Sequence, residues 1–131
     1  MNLSQYHCKQ IGERLRALWG DTPAEENLEG YDDVPSRWHG DFTLVCKGNS
    51  MLPRIQDNDI VVIKKQSSVE NGEIAAIRID NEATLKHVYI YKNKVVLQPE
   101  NPDYEPIVLI GDEINNLSIE GKVVGLCRGL Q

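Results

Sequence analysis

The chain has 131 residues, 40% of them hydrophobic and 26% charged, and a formal net charge of −6. This suits one soluble domain with a real core plus a short appendage, and it excludes sequence-independent nucleic-acid binding over the whole surface, which needs a basic face. Cys8, Cys46 and Cys127 are scattered with no Cys-x-x-Cys pair, so neither a disulfide framework nor a zinc site is expected, and a reducing cytoplasm is.

Residues 3–19 read as one amphipathic helix: Ile11, Leu15, Leu18 and Trp19 fall at i, i+4, i+7 and i+8. Residues 20–39 read as an acidic linker. Gly20, Pro23, Gly30 and Pro35 break regular structure there, and Asp21, Glu25, Glu26, Glu29, Asp32 and Asp33 crowd between them. Such a composition predicts a solvated tether. From residue 40 the pattern turns to short strands. Phe42, Leu44 and Cys46 alternate with Thr43, Val45 and Lys47. A β-branched run at 60–64 follows the turn Gln56-Asp57-Asn58-Asp59, and a strand at 74–79 follows Asn71-Gly72. Asp80-Asn81-Glu82 then leads into a hairpin partner at 83–91, and Lys92-Asn93-Lys94 turns into Val95-Val96-Leu97. Pro99, Pro102 and Pro106 predict an extended but irregular stretch. A last strand covers 119–127. The apolar runs Ile60-Val61-Val62-Ile63 and Ile107-Val108-Leu109-Ile110 are far too short to span a bilayer. The N-terminus lacks signal-peptide shape.

The segment Lys47-Gly48-Asn49-Ser50-Met51-Leu52-Pro53 has the sharpest chemical potential. A strand ends, a glycine permits a tight backbone, and a serine follows at the bend. That arrangement can expose a hydroxyl and aim backbone N–H groups at one point, the two requirements of acyl transfer. The same residues also suit an ordinary turn. A nucleophilic serine needs a base. His7 falls in the leading helix, His39 in the linker, and His87 has no obvious acidic orienter. Lys86 lies in a strand in phase with Thr84 and Val88. An inward-facing ammonium there is desolvated, its pKa falls, and the neutral amine can take the serine proton. On composition alone, a surface lysine on an edge strand is the commoner reading.

Five ordered segments resemble the LexA-like self-cleaving peptidases, which include phage repressors and UmuD. They are FTLVCKGNSMLPRIQDNDIVVI (42–63), VENGEIAAI (69–77), EATLKHV (82–88), LQPENPDYEPI (97–107) and IEGKVVGL (119–126). The 36-residue separation of Ser50 and Lys86 also matches that family. The resemblance implies a mostly β domain over 40–131, a compact, bent antiparallel structure of the LexA C-terminal type, preceded by the short helix and linker. It implies Ser50 as nucleophile and Lys86 as its neutral base. The backbone N–H groups of Asn49 and Ser50 would form the oxyanion hole, with no metal or organic cofactor. It further implies a homodimer, and cleavage of the chain's own N-terminal segment, stimulated by a RecA-type filament on single-stranded DNA. Met51 and Pro53 match family positions and are read as fixing the turn.

Two features depart from that family. Its scissile bond joins Ala or Cys to Gly, and neither dipeptide occurs here. Trp19-Gly20 lies at the right separation, but a site shaped for a small side chain rejects indole. Lys9 to Leu18 resembles the first helix of a phage-repressor helix-turn-helix, yet no second and third helix follow, so autonomous DNA binding is not expected. Four readings result. The leading one is a self-cleaving regulatory and dimerisation domain of a phage-type transcriptional repressor. The second is a non-cleaving module that forms mixed dimers with a full-length repressor. The third is a UmuD-like accessory protein of a translesion polymerase. The fourth, a signal peptidase, is disfavoured because the sequence offers no membrane anchor.

Overall fold

The computed structural model describes residues 2–10, 13–14 and 31–129. Its strands are β1 (Asn2–Gln10), β2 (Glu13–Arg14), β3 (Tyr31–Val34), β4 (Phe42–Lys47), β5 (Ile60–Lys65), β6 (Ile74–Ile79), β7 (Glu82–Ile90), β8 (Lys94–Gln98), β9 (Ile107–Ile110) and β10 (Leu117–Cys127). Short 3-10 turns occupy Ser36–Trp38 and Gly111–Asn116. The sheet runs β2-β1-β4-β5-β10-β6-β7-β8-β9, with β3 parallel to β1. The other pairings are antiparallel.

β10 holds the sheet together and bends it. It pairs with β5 on one side and β6 on the other, and both ladders break register, between Val123 and Gly125 and between Ile119 and Gly121. Such bulges sharpen local twist and bend the strand. At the bend a Cβ on Gly121 would lie 2.5 Å from the Lys64 carbonyl oxygen, so only glycine fits this approach. The curvature lets strands from distant positions share one core. Phe42, Leu44 and Cys46 of β4 pack with Met51, Ile55, Val61, Ile63, Ala76 of β6 and Leu85 of β7. A second cluster gathers Ala75, Ile77, Val88, Val95, Leu97 and Leu109.

Three expectations are corrected. Residues 2–10 form β1 rather than the start of a helix. β1 covers the outer edge of β4, from Asn2 opposite Lys47 to His7 opposite Phe42, and so satisfies a row of backbone groups that an edge leaves open. The apolar stripe that suggested a helix begins only at Ile11. The linker also ends early, because residues 31–39 belong to the fold: Val34 is buried against Val62, with Trp38, Val124 and Cys127 packed around them. Acidic neighbours hid those two apolar anchors. Third, the run 107–110 is a strand, β9, paired with β8 from Lys94 opposite Ile110 to Leu97 opposite Ile107. Its three upstream prolines irregularise only the approach.

The C-terminal end is tied down by an ion pair between a buried carboxylate and an exposed guanidinium. Asp59 is 1% exposed, and its two carboxylate oxygens accept from Arg128 Nε and Nη2 at 2.7 Å each. Burial pushes the Asp59 carboxyl up, but the Arg128 guanidinium and the Gln56 N–H outweigh it and hold the group below its ordinary 3.8. The carboxylate therefore contributes stability above that value, lost as pH falls through the lower folded one. Arg128→Ala leaves a buried carboxylate without its cation, a strongly destabilising change, and lets desolvation raise its pKa. Urea unfolding should show a large loss at neutral pH that narrows below about pH 4. A gap equal at both pH values would show that the pair contributes no electrostatic stability.

Candidate active site

β4 ends at Lys47, and the chain then folds into a tight loop. Gly48 adopts φ 108, a left-handed value that favours glycine. Its N–H donates to Asp57 Oδ1 at 2.7 Å. Cys46 N–H donates to Asp59 O, and Asn58 N–H returns the bond to Cys46 O. Met51 and Ile55 are buried in the main core and anchor the loop from below, with Ile55 N–H bonded to Met51 O at 3.0 Å. Ser50 is thereby held at the loop's first bend, 4% exposed.

Lys86 enters from β7. The ladder sets Ala75 opposite Lys86, and this small residue on the same face leaves room for the long side chain to turn inward. Lys86 is 6% exposed. Its Nζ lies 3.2 Å from Ser50 Oγ, 2.8 Å from Thr84 Oγ1 and 3.1 Å from the Leu85 carbonyl oxygen. Burial pushes its pKa below the ordinary 10.5, while Cys46 pulls the other way. That opposing pull needs a thiolate. Burial, with Asp59 and Asp57, drives the Cys46 thiol up to about 11, so it stays protonated through the range in which Lys86 titrates. A cavity of about 150 Å³ lies beside the lysine, lined by Ile79, Glu82, Ala83, Thr84, Lys86 and Ile107.

The lowered lysine pKa has a measurable consequence. In the window between the folded value and 10.5, the unfolded chain binds more protons than the folded one, so stability rises with pH across it. Wild type should gain on Lys86→Met at up to about 1.4 kcal/mol per pH unit in that window. Paired urea titrations at neutral pH and at about pH 10 read the difference. Parallel curves would place the ammonium in water.

The structure brings Ser50 and Lys86 together and puts Asn49 beside them. Trp19 and Gly20 lie outside the described residues. Two contacts escaped the sequence reading. Thr84 contacts Lys86 through a hydroxyl on the same strand face, a position readable from the period-two pattern. His87 does have an acidic partner: its Nε2 lies 2.9 Å from Glu100 Oε1 and its Nδ1 2.7 Å from Gly72 O. Thirteen residues and a strand turn separate that pair, so sequence proximity gave no cue. No helix among the described residues is long and apolar enough to cross a membrane.

Residues 10–124 match the family model described as Peptidase S24-like. The chain is 41% identical over 112 residues to the LexA repressor of Geobacter metallireducens, covering 83% of this chain and 55% of that protein. It is 44% identical over 111 residues to the LexA repressor of Bacillus velezensis and 42% identical over 111 residues to that of Bacillus subtilis, each match covering 80% of this chain and 52% of the relative. The chain thus spans about half the length of the curated relatives it matches. Fold and matches together define a peptidase-fold domain related to transcriptional repressors. The chain belongs to the Peptidase S24-like family.

Proposed function

We propose that this is a self-cleaving regulatory domain of a repressor, working through Ser50 and Lys86. The observation that carries the reading is the 3.2 Å contact between a serine hydroxyl and a buried lysine amine. A neutral amine has two N–H donors and one lone pair. Thr84 Oγ1 and the Leu85 carbonyl take the two donors, which turns the lone pair toward Ser50. Lys86 then accepts the hydroxyl proton as Ser50 Oγ attacks the carbonyl carbon of residue 19. The backbone N–H groups of Asn49 and Ser50 stabilise the oxyanion. Collapse breaks the bond to the Gly20 nitrogen, which leaves as an amine with the proton returned by Lys86. Water, deprotonated by the same lysine, then hydrolyses the ester and frees Ser50.

Assembly as a homodimer and stimulation by a RecA-type filament belong to this reading. The exposed apolar side chains Ile107, Val108 and Ile110 on the outermost strand, β9, support self-association, because an apolar edge strand calls for a partner. A second reading, a non-cleaving module forming mixed dimers, is favoured by Trp19, which stands where the cleavage register asks for a small residue. Intact mass during incubation at alkaline pH separates them. A break between residues 19 and 20 supports self-cleavage, and an unbroken chain supports the second reading.

A further inference from the structure

The segment Glu100-Asn101 follows β8 and touches the nucleophile loop at three places. Asn101 N–H donates to Ser50 O at 3.0 Å. Asn101 Nδ2 donates to Asn49 O at 2.9 Å. Glu100 Oε1 meets Arg54 Nε at 2.9 Å and His87 Nε2 at 2.9 Å. One segment therefore links the loop bearing Ser50 to the strand bearing Lys86.

The contact with Asn49 O has the most specific consequence. A trans peptide is planar, so its N–H points opposite to its carbonyl. The carbonyl of Asn49 and the N–H of Ser50 belong to one peptide unit. Whatever grips that carbonyl aims the Ser50 amide. Asn101 Nδ2 does so with the shorter bond, and Leu52 N–H adds a second at 3.2 Å. The Asn101 amide is itself oriented, because its Oδ1 accepts from Asp103 N–H at 2.9 Å and leaves Nδ2 to face the loop. The preceding peptide has a parallel but longer contact: the Cys46 thiol donates to Gly48 O at 3.9 Å, on the unit that carries the Asn49 N–H.

We propose that Asn101 is a positioning residue that fixes the Asn49–Ser50 peptide so that the Ser50 N–H faces the developing oxyanion. The inference rests on the self-cleavage reading for its catalytic meaning. Its geometric content, a peptide plane held by one side-chain donor, stands apart from that reading.

Asn101→Asp and Asn101→Ala test it together. Aspartate keeps the size and the acceptor for Asp103 N–H and loses only the donor to Asn49 O, where it sets oxygen against oxygen. If Asn101 merely builds its own turn, Asn101→Asp cleaves like wild type. If it aims the peptide, both variants lose rate, about ten- to hundred-fold, a part of what removing one oxyanion donor causes. In Asn101→Ala the pH midpoint should stay put, since Lys86 keeps its surroundings. Amide NMR of the uncut chains at neutral pH reads the geometry without catalysis. The Ser50 amide resonance should shift or broaden in both variants, while those of β6 hold. An unmoved Ser50 amide, or wild-type cleavage by Asn101→Asp, overturns the proposal. A perturbed Ser50 amide in a chain whose wild type never cleaves upholds the peptide geometry and defeats the self-cleavage reading instead.

Discussion

Ser50→Ala and Lys86→Ala should each abolish self-cleavage while leaving the chain folded. The alanine at 50 removes the attacking oxygen, and the alanine at 86 removes the only base within reach of it among the described residues. In hydrolases of this kind, losing the nucleophile or its base costs about 10⁴-fold or more. Both side chains lie at the edge of the core rather than within its apolar clusters, so circular dichroism should report an intact fold. The pH profile supplies the second half of the expectation. Only the neutral amine can accept a proton, and burial moves Lys86 below 10.5, so the wild-type rate should climb with pH and level off below that value. Cys46, driven up to about 11, stays a neutral thiol over the same span and does not blur the profile. Intact-mass time courses across pH give both results. Undiminished breakage in Ser50→Ala would identify a contaminating protease or a different nucleophile.

Trp19→Ala should accelerate cleavage about ten- to hundred-fold. The substitution creates the Ala-Gly bond that the family resemblance calls for, at an unchanged distance from Ser50. On the self-cleavage reading, an indole beside the scissile carbonyl would crowd a site suited to a small side chain. Overpacking of that kind costs about 1–3 kcal/mol, and each 1.36 kcal/mol on a barrier is tenfold in rate. Fragment masses of the two proteins, followed side by side at neutral and alkaline pH, decide the matter. A Trp19→Ala chain no faster than wild type, or a break elsewhere, removes this register and favours the non-cleaving dimerisation module.

The serine, its loop and the strand that carries Lys86 were legible because local rules dictate them. A strand must end before Gly48, and Lys86 has to share a face with Thr84 in any extended conformation. The strands from β4 to β8 follow from alternation and turn residues for the same reason. What escaped depends on contacts between distant segments. Asp59 and Arg128 are 69 residues apart, and nothing near either announces the other. The bond from Asn101 to Asn49 spans 52 residues. β1 illustrates a different limit: residues 2–10 have no strong period of their own, and the open edge of β4 decides their conformation.

Ser50 follows β4 and Lys86 lies within β7, two strands that are not neighbours. β5, β10 and β6 lie between β4 and β7, four inter-strand steps that would span roughly 19 Å in a flat sheet. The side chains meet because the sheet rolls up around the bulged β10. The serine–lysine distance is therefore a gauge of curvature. On the self-cleavage reading, any force that unrolled the sheet at Gly121 would part nucleophile and base without touching either, and the rate of bond breaking would register mechanical events on the far side of the domain.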